Sequence, residues 1–276
     1  RKGASVKKRV KWVITQQARK NYTEHITKYK QIMEEIVKKE NNFNSDLKTG
    51  KITEKIEYKK IEIADNVLNL SSYYILLNSL SSNLLGVKNE NFLNEARKSV
   101  YRSLIYFESV VTDEIDIPFS ELSVALDKIS GLSDEKRFDT VKKLGFTIDM
   151  IKDAFGDNSK WKWSFVELEG RFATVAKNMI NYKTLVSGMD PTAEGYEIRV
   201  YHLNLVKKML MLAATRYREK YELNTFRIDD FKLALNYLSA LRRIHVYLGE
   251  TNDSETVKKN LEIWKIKMEK DSSKSI

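Results

Sequence analysis

Histidine, cysteine and paired carboxylates carry out most metal and acid–base chemistry in helical proteins. The sequence has no cysteine and three histidines, at His25, His202 and His245. None of the three has a glutamate three residues before it or a second histidine four residues away. Because di-iron carboxylate sites and HExxH zinc sites need such spacings, the sequence predicts neither kind of metal site. We interpret His202 and His245 as packed or surface histidines.

Motifs that bind phosphate or present a nucleophile are also absent from the sequence. It contains no GxxxxGK or GxGxxG loop and no GxSxG elbow. Asp157, Asn158 and Ser159 are similar to the start of a calcium loop, but the glycine at its sixth position and the glutamate at its twelfth are missing. We therefore expect a protein that is not an enzyme, with no cofactor and no small-molecule substrate.

The positive charge of the sequence is concentrated near its start. The formal net charge is +10, and most of the excess lies in residues 1–40, whereas the remaining chain is nearly neutral. Lys7, Lys8, Arg9 and Lys11 form an arm that could contact phosphates or anionic head groups, because neutralising each phosphate releases counterions. The other interpretation, which we favour, is a solvated helix start.

Two tryptophans flank a lysine, Trp161-Lys162-Trp163, in front of a long apolar stripe. Exposed tryptophans often anchor a partner protein, because large aromatic side chains dominate interface energetics. The same two rings could instead fasten the start of the following helix to the core. We keep both interpretations for Trp161 and Trp163, and slightly favour the second.

A glycine interrupts the charged segment from Glu167 to Arg171 within an otherwise apolar helix. Glycine in a helix costs about 1 kcal/mol relative to alanine, so Gly170 predicts a close helix crossing that compensates for this cost. We also expect Glu167 or Glu169 to pair with Arg199 or Arg216 of the next helix. Such a pair would specify packing rather than catalyse a reaction.

Composition predicts an all-α protein. Hydrophobic residues make up 42% of the chain and charged residues 31%, which suffices for a buried core, while only 2 prolines and 10 glycines interrupt it. Long helices joined by short loops lie antiparallel to their neighbours. The sequence thus predicts an antiparallel helical bundle or a helical-repeat, tetratricopeptide-like array, although the 34-residue pattern of tetratricopeptide repeats does not recur.

Breaks in the apolar period divide the chain into segments. We expect a basic long helix or arm over 1–40, a helical lobe over 51–156, a second lobe packed against it over 157–270, and a frayed tail over 271–276. No apolar run reaches the roughly 20 residues that cross a bilayer.

Glycines, prolines and polar stretches predict where the helices begin and end. The first helix should run from Ser5 to Lys39, followed by a loop over Asn41 to Gly50. We expect further helix ends at Gly86, Gly145 and Gly156, a helix from Trp161 to Leu185, and helix starts at Pro191, Asp229 and Ser254.

Three stretches carry a resemblance to a known family: WKWSFVELEGRF, YREKYEL and LSALRRIHVYLG, together with a bias towards Lys, Asn and Ile. They are similar to helical-repeat proteins of the spirochaete periplasmic flagellar collar. The resemblance implies a tetratricopeptide-like scaffold in the periplasm, anchored upstream of Arg1, that binds other collar or motor proteins. It assigns no functional residue in this chain.

Together these features predict a non-enzymatic scaffold or adaptor that binds protein partners through helix faces, with self-association as a further expectation. The alternative is a nucleic-acid or anionic-membrane binder that acts through the basic arm. The absence of cysteine fits a cytoplasm or a bacterial periplasm equally well, and the resemblance favours the periplasm.

Overall fold

A computed structural model describes residues 14–156 and 160–273 of the chain. Over these two ranges the fold is all-α, with ten α-helices and no strand. Lys7, Lys8, Arg9 and Lys11 of the predicted arm lie outside the described residues, as does the calcium-loop-like Asp157–Ser159. The helices are α1 (Gln16–Lys48), α2 (Ile56–Leu85), α3 (Glu90–Val111), α4 (Phe119–Asp127), α5 (Asp134–Phe155), α6 (Lys162–Asn178), α7 (Tyr182–Leu185), α8 (Tyr196–Lys220), α9 (Ile228–Tyr247) and α10 (Thr251–Ser272).

The first helix is longer at its end than the sequence predicts. The predicted end at Lys39 and the predicted loop over residues 41–50 are wrong, because α1 continues to Lys48. The apolar stripe persists through this polar stretch, where Phe43 is buried against Ile63 and Val67 of α2. The side-chain amide of Asn44 also donates a 2.7 Å hydrogen bond to the hydroxyl of Tyr106 on α3. These contacts between helices stabilise a segment whose own residues favour a turn.

One glycine predicted to end a helix lies inside one. The predicted end at Gly145 is wrong, since α5 runs on to Phe155. A Cβ atom at Gly145 would lie 2.9 Å from Cζ of Phe172 on α6, so this position serves the contact between two helices. The prediction at Gly86 is confirmed, because this residue ends α2 with a positive φ of 64°.

The chain between α6 and α8 is also more broken than predicted. The helix expected from Trp161 to Leu185 stops at Asn178, and only the short α7 follows. Pro191 does not begin α8. That helix starts at Tyr196, after Gly195 has turned the chain with a φ of 75°.

The last helix extends beyond its predicted limits at both ends. It begins at Thr251 rather than Ser254 and continues through Asp271 to Ser272, where we expected a frayed tail. The hydroxyl of Tyr221 donates a 3.0 Å hydrogen bond to the carboxylate of Asp271, which connects this end to the rest of the fold. Residues 274–276 lie outside the described residues.

One large buried cluster unites the two predicted lobes. It contains side chains of α2 to α5 together with side chains of α6 to α10. Helix α6 lies at its centre, and its residues from Phe172 to Asn178 are all buried. Among the described residues, no helix is both long and apolar enough to cross a membrane.

Candidate functional site

A groove lies between α5 and α8, with α6 as its floor. Its volume is about 510 Å³. Most of its lining is apolar and comes from three helices, α5, α6 and α8. The principal apolar lining residues are Phe138, Val141, Phe146, Phe172, Tyr201, Leu205, Met209 and Leu212.

Large apolar side chains remain exposed at this groove. Phe146 is 69% exposed and Tyr201 is 59% exposed, although both belong to helices whose opposite faces are buried. A contiguous apolar surface that opens to solvent marks an interaction site more often than scattered single residues do. The two rings therefore identify the groove as the candidate site for a partner.

The floor of the groove depends on two close helix contacts. Gly145 allows the ring of Phe172 to approach α5. Beside it, Glu169 of α6 accepts a hydrogen bond from Lys152 of α5 and lies 3.9 Å from Nε of Arg216 on α8. This ion cluster joins the three helices that form the groove. The expected pairing of Glu169 with Arg216 is thus present, at a distance close to the longest that an ion pair allows.

The remaining lysines of the groove lie on both of its walls. Lys142 and Lys208 line it together with one further carboxylate, Asp149. Burial raises the pKa of Asp149, an effect that Lys152 and Lys208 partly oppose. Lys142 lies 2.8 Å from Asp139, a pair in which both side chains are largely exposed. Acidic groups on a partner would therefore meet lysines from both walls.

The two predicted tryptophans lie outside this groove. Trp161 and Trp163 are partly buried and pack against the main core. The ring of Trp161 makes an edge contact with Phe155 at 6.4 Å, and the guanidinium of Arg97 lies 4.0 Å from its centroid. Both rings thus fasten the start of α6 to its neighbours. Binding of a partner by Trp161 or Trp163 stays a prediction, as does binding of phosphate by the arm.

The glycine of the charged segment lies at a helix crossing, as predicted. A Cβ atom at Gly170 would lie 2.6 Å from the hydroxyl of Tyr237 and 2.7 Å from a ring carbon of Tyr217. Gly170 therefore lets α8 and α9 approach α6. Of the two arginines expected as alternatives for an ion pair with this segment, Arg216 is the one used, since Arg199 lies 2.6 Å from Asp134 of α5.

His202 and His245 are both buried. His245 Nδ1 lies 2.6 Å from Glu250, and together with Asp253 these groups fall within 4.8 Å of one another, a grouping that a metal ion could use. Lys207 already binds both oxygens of Glu250, at 2.5 and 2.6 Å. Burial would raise the pKa of Glu250, but hydrogen bonds from Lys207 and His245 lower it below its usual value. The cluster thus joins α8, α9 and α10 through an ion pair.

No motif in the sequence indicates the groove residues. Phe146 and Tyr201 are apolar residues that lie outside the main apolar stripe of their helices, and neither is part of a motif. This position is the only signal that the sequence gives for them. Their proximity arises from the packing of α5 and α8 on α6.

Comparison with known proteins gives a family match. A model of the TP0443 family matches residues 18–272, which covers nearly the whole chain. The family carries the name of a Treponema protein, in agreement with the resemblance to spirochaete proteins. No curated protein and no solved structure matches the chain.

Proposed function

This chain belongs to the TP0443 family, and we propose that it is a non-enzymatic scaffold that holds an amphipathic helix of a partner protein in the groove between α5 and α8. The observation that carries the proposal is the apolar groove with Phe146 and Tyr201 exposed at it. Burying such side chains against a partner contributes roughly 1.5–3 kcal/mol each.

The dimensions of the groove suit a short helix. Its lining extends along α5 from Phe138 to Lys152 and along α8 from Tyr201 to Leu212. At a rise of 1.5 Å per residue these walls are roughly 20 Å long, which corresponds to about three to four helical turns. Helices in grooves are held by apolar residues at positions i, i+3, i+4 and i+7. A helix of this length would present such a row to the groove.

The charges of the walls specify the flanks of the partner helix. Lys142 on α5 and Lys208 on α8 favour acidic residues beside the apolar row. Such charges contribute mainly to orientation and to the rate of association, while the apolar contacts supply most of the affinity.

The resemblance to flagellar collar proteins supports a more specific proposal. We place the scaffold in a spirochaete periplasmic flagellar assembly, where the partner would be another component of that assembly. The family match supports the spirochaete part of this proposal.

Site-specific photo-crosslinking in native cells tests the scaffold. A photoreactive phenylalanine at position 146 should crosslink to an amphipathic segment with acidic flanks, whereas the same group at position 124 should not. Val124 is a matched control, because it is 64% exposed on α4 and does not line the groove.

The crosslinked segment, made as a peptide, should bind the purified protein. Phe146→Asp should weaken this binding at least tenfold, and Val124→Asp should leave it unchanged. Crosslinks to a second copy of this chain, or the same crosslinks from both positions, would refute the partner proposed here. A partner of the predicted chemistry from outside the flagellum would refute only the flagellar assignment.

A further inference from the structure

A second cavity lies between α3, α6, α8 and α9 and shares no lining residue with the groove. Its volume is about 390 Å³, which is within the range of small-molecule sites. Its lining is polar, unlike that of the groove. Four carboxylates and two cations line it, namely Glu108, Asp113, Glu167, Asp230, Arg171 and Lys220.

Both cations of the cavity are already neutralised by its own carboxylates. Arg171 donates two parallel hydrogen bonds to Glu108, at 2.7 and 2.6 Å. Lys220 lies 2.9 Å from Asp230. Asp113 makes no ion pair with any described residue, and Glu167 only approaches Arg171, at 3.9 Å. The cavity therefore carries an excess of negative charge.

A buried phenol lacks a partner in the same cavity. Tyr217 lines it and is 4% exposed, yet its hydroxyl makes no hydrogen bond with any residue that the structure describes. Its ring stacks on Tyr237 at 5.6 Å, and Gly170 provides the space for both rings. The hydroxyl oxygen itself opens into the cavity, so it can form a hydrogen bond with a group that enters there.

The electrostatic potential at these phenols favours a cation. Burial raises the pKa of Tyr217, and the neighbouring Tyr237, Glu167 and Asp230 raise it further. Burial likewise raises the pKa of Tyr237. Both phenols consequently stay protonated and neutral, and their oxygens remain able to accept hydrogen bonds from a cationic ligand.

We propose that this cavity binds a small organic cation through an alkylammonium group. The ammonium donates hydrogen bonds to the carboxylates of Glu167 and Asp113 and to the hydroxyl oxygen of Tyr217. Charge-assisted hydrogen bonds of this kind are about twice as strong as neutral ones. The same group occurs in free diamines and in the lysine side chain of a partner protein, and the cavity volume favours the free amine.

Calorimetric titration of the full chain tests the proposal with three probes. Cadaverine represents the free amine, N-acetyl-lysine methylamide represents a protein side chain, and pentane-1,5-diol is the neutral counterpart of cadaverine. Cadaverine should bind, and the diol should bind at least tenfold more weakly. Binding of the lysine amide alone would assign the same site to a side chain.

Two substitutions locate the binding. Glu167→Gln removes one charge from a half-exposed side chain, and Tyr217→Phe removes only the hydroxyl. Each should weaken cadaverine binding by about five- to tenfold. Glu197→Gln is the control, since Glu197 is an exposed acid on α8 that does not line the cavity.

Several results would overturn the proposal. They are binding of neither amine at millimolar concentration, equal binding of the diol, or unchanged binding in both Glu167→Gln and Tyr217→Phe. Circular dichroism spectra of the variants, compared with that of the native chain, show whether a loss of binding reflects unfolding.

Discussion

His202 should make the stability of this protein depend on pH between neutrality and pH 4. Its ring is 5% exposed, stacks on Phe138 at 5.3 Å, and its Nε2 lies 2.9 Å from the carbonyl oxygen of Ala176. Burial lowers the pKa of His202 from 6.5 to about 4, while the hydrogen bond to Ala176 and the charge of Asp134 partly oppose this effect. The folded protein therefore holds the neutral ring at neutral pH.

The expected magnitude follows from these two pKa values. Between pH 6.5 and about 4 the unfolded chain binds a proton at this residue that the folded protein does not. The stability that depends on the neutral His202 ring is fully present above pH 6.5, and it is lost as the pH falls from 6.5 to about 4. At ~1.4 kcal/mol per pH unit, His202 should account for a loss of roughly 3 kcal/mol in the free energy of unfolding.

Urea unfolding, followed by circular dichroism from pH 7 to pH 4, measures this loss. His202→Gln keeps a side-chain donor for the carbonyl of Ala176 but cannot be protonated in this range. Carboxylates titrate in both proteins, so the difference between their pH dependences isolates the histidine. His25→Gln, at an exposed position of α1, is the matched control and should follow the native chain.

Parallel losses of stability in the native chain and in His202→Gln would refute this reasoning. So would a nuclear magnetic resonance titration in which the His202 ring is protonated near pH 6.5. Either result would mean that water reaches the ring or that the contact with Ala176 is not maintained.

Three substitutions test the packing. Lys177 is 1% exposed, and burial lowers its pKa from 10.5 to about 8. Lys177→Met should therefore raise the free energy of unfolding at pH 7, measured by urea titration, by ~2 kcal/mol. A free energy of unfolding lower than that of the native chain would contradict the cost assigned to burying the lysine. Gly170→Ala should lower the free energy of unfolding by about 1–3 kcal/mol, because the new Cβ atom would lie 2.6 Å from the Tyr237 hydroxyl; an unchanged urea midpoint would exclude the close crossing. Phe43→Ala should lower the melting temperature and reduce the free energy of unfolding by roughly 3–5 kcal/mol, since this ring is 6% exposed. If residue 43 were in a loop, the substitution would leave the melting temperature nearly unchanged.

The all-α class and several helix limits follow from the sequence because they depend on local properties. The apolar stripe of α2 and the glycine after it predict that helix to its last turn, since only a residue tolerant of positive φ suits the position of Gly86. Gly170 likewise predicts a close crossing, because a glycine inside a helix needs a compensating contact.

Other limits depend on partners that the sequence does not show to be adjacent. Asn41 to Lys48 have the composition of a loop, and contacts with Tyr106, Ile63 and Val67 stabilise them as a helix. Gly145 has the character of a helix end, but the ring of Phe172 occupies the space beside it.

By itself, the sequence determined the helical class, the apolar faces and the absence of familiar catalytic motifs, since composition and period are local signals. Only the tertiary structure decided the groove with Phe146 and Tyr201 and the cavity with Tyr217, because each is lined by three or more helices whose packing is not a local property of the chain. Periodicity identifies which face of a helix is apolar. How far two such helices separate, and which side chains line the space between them, depends on the packing of all their neighbours.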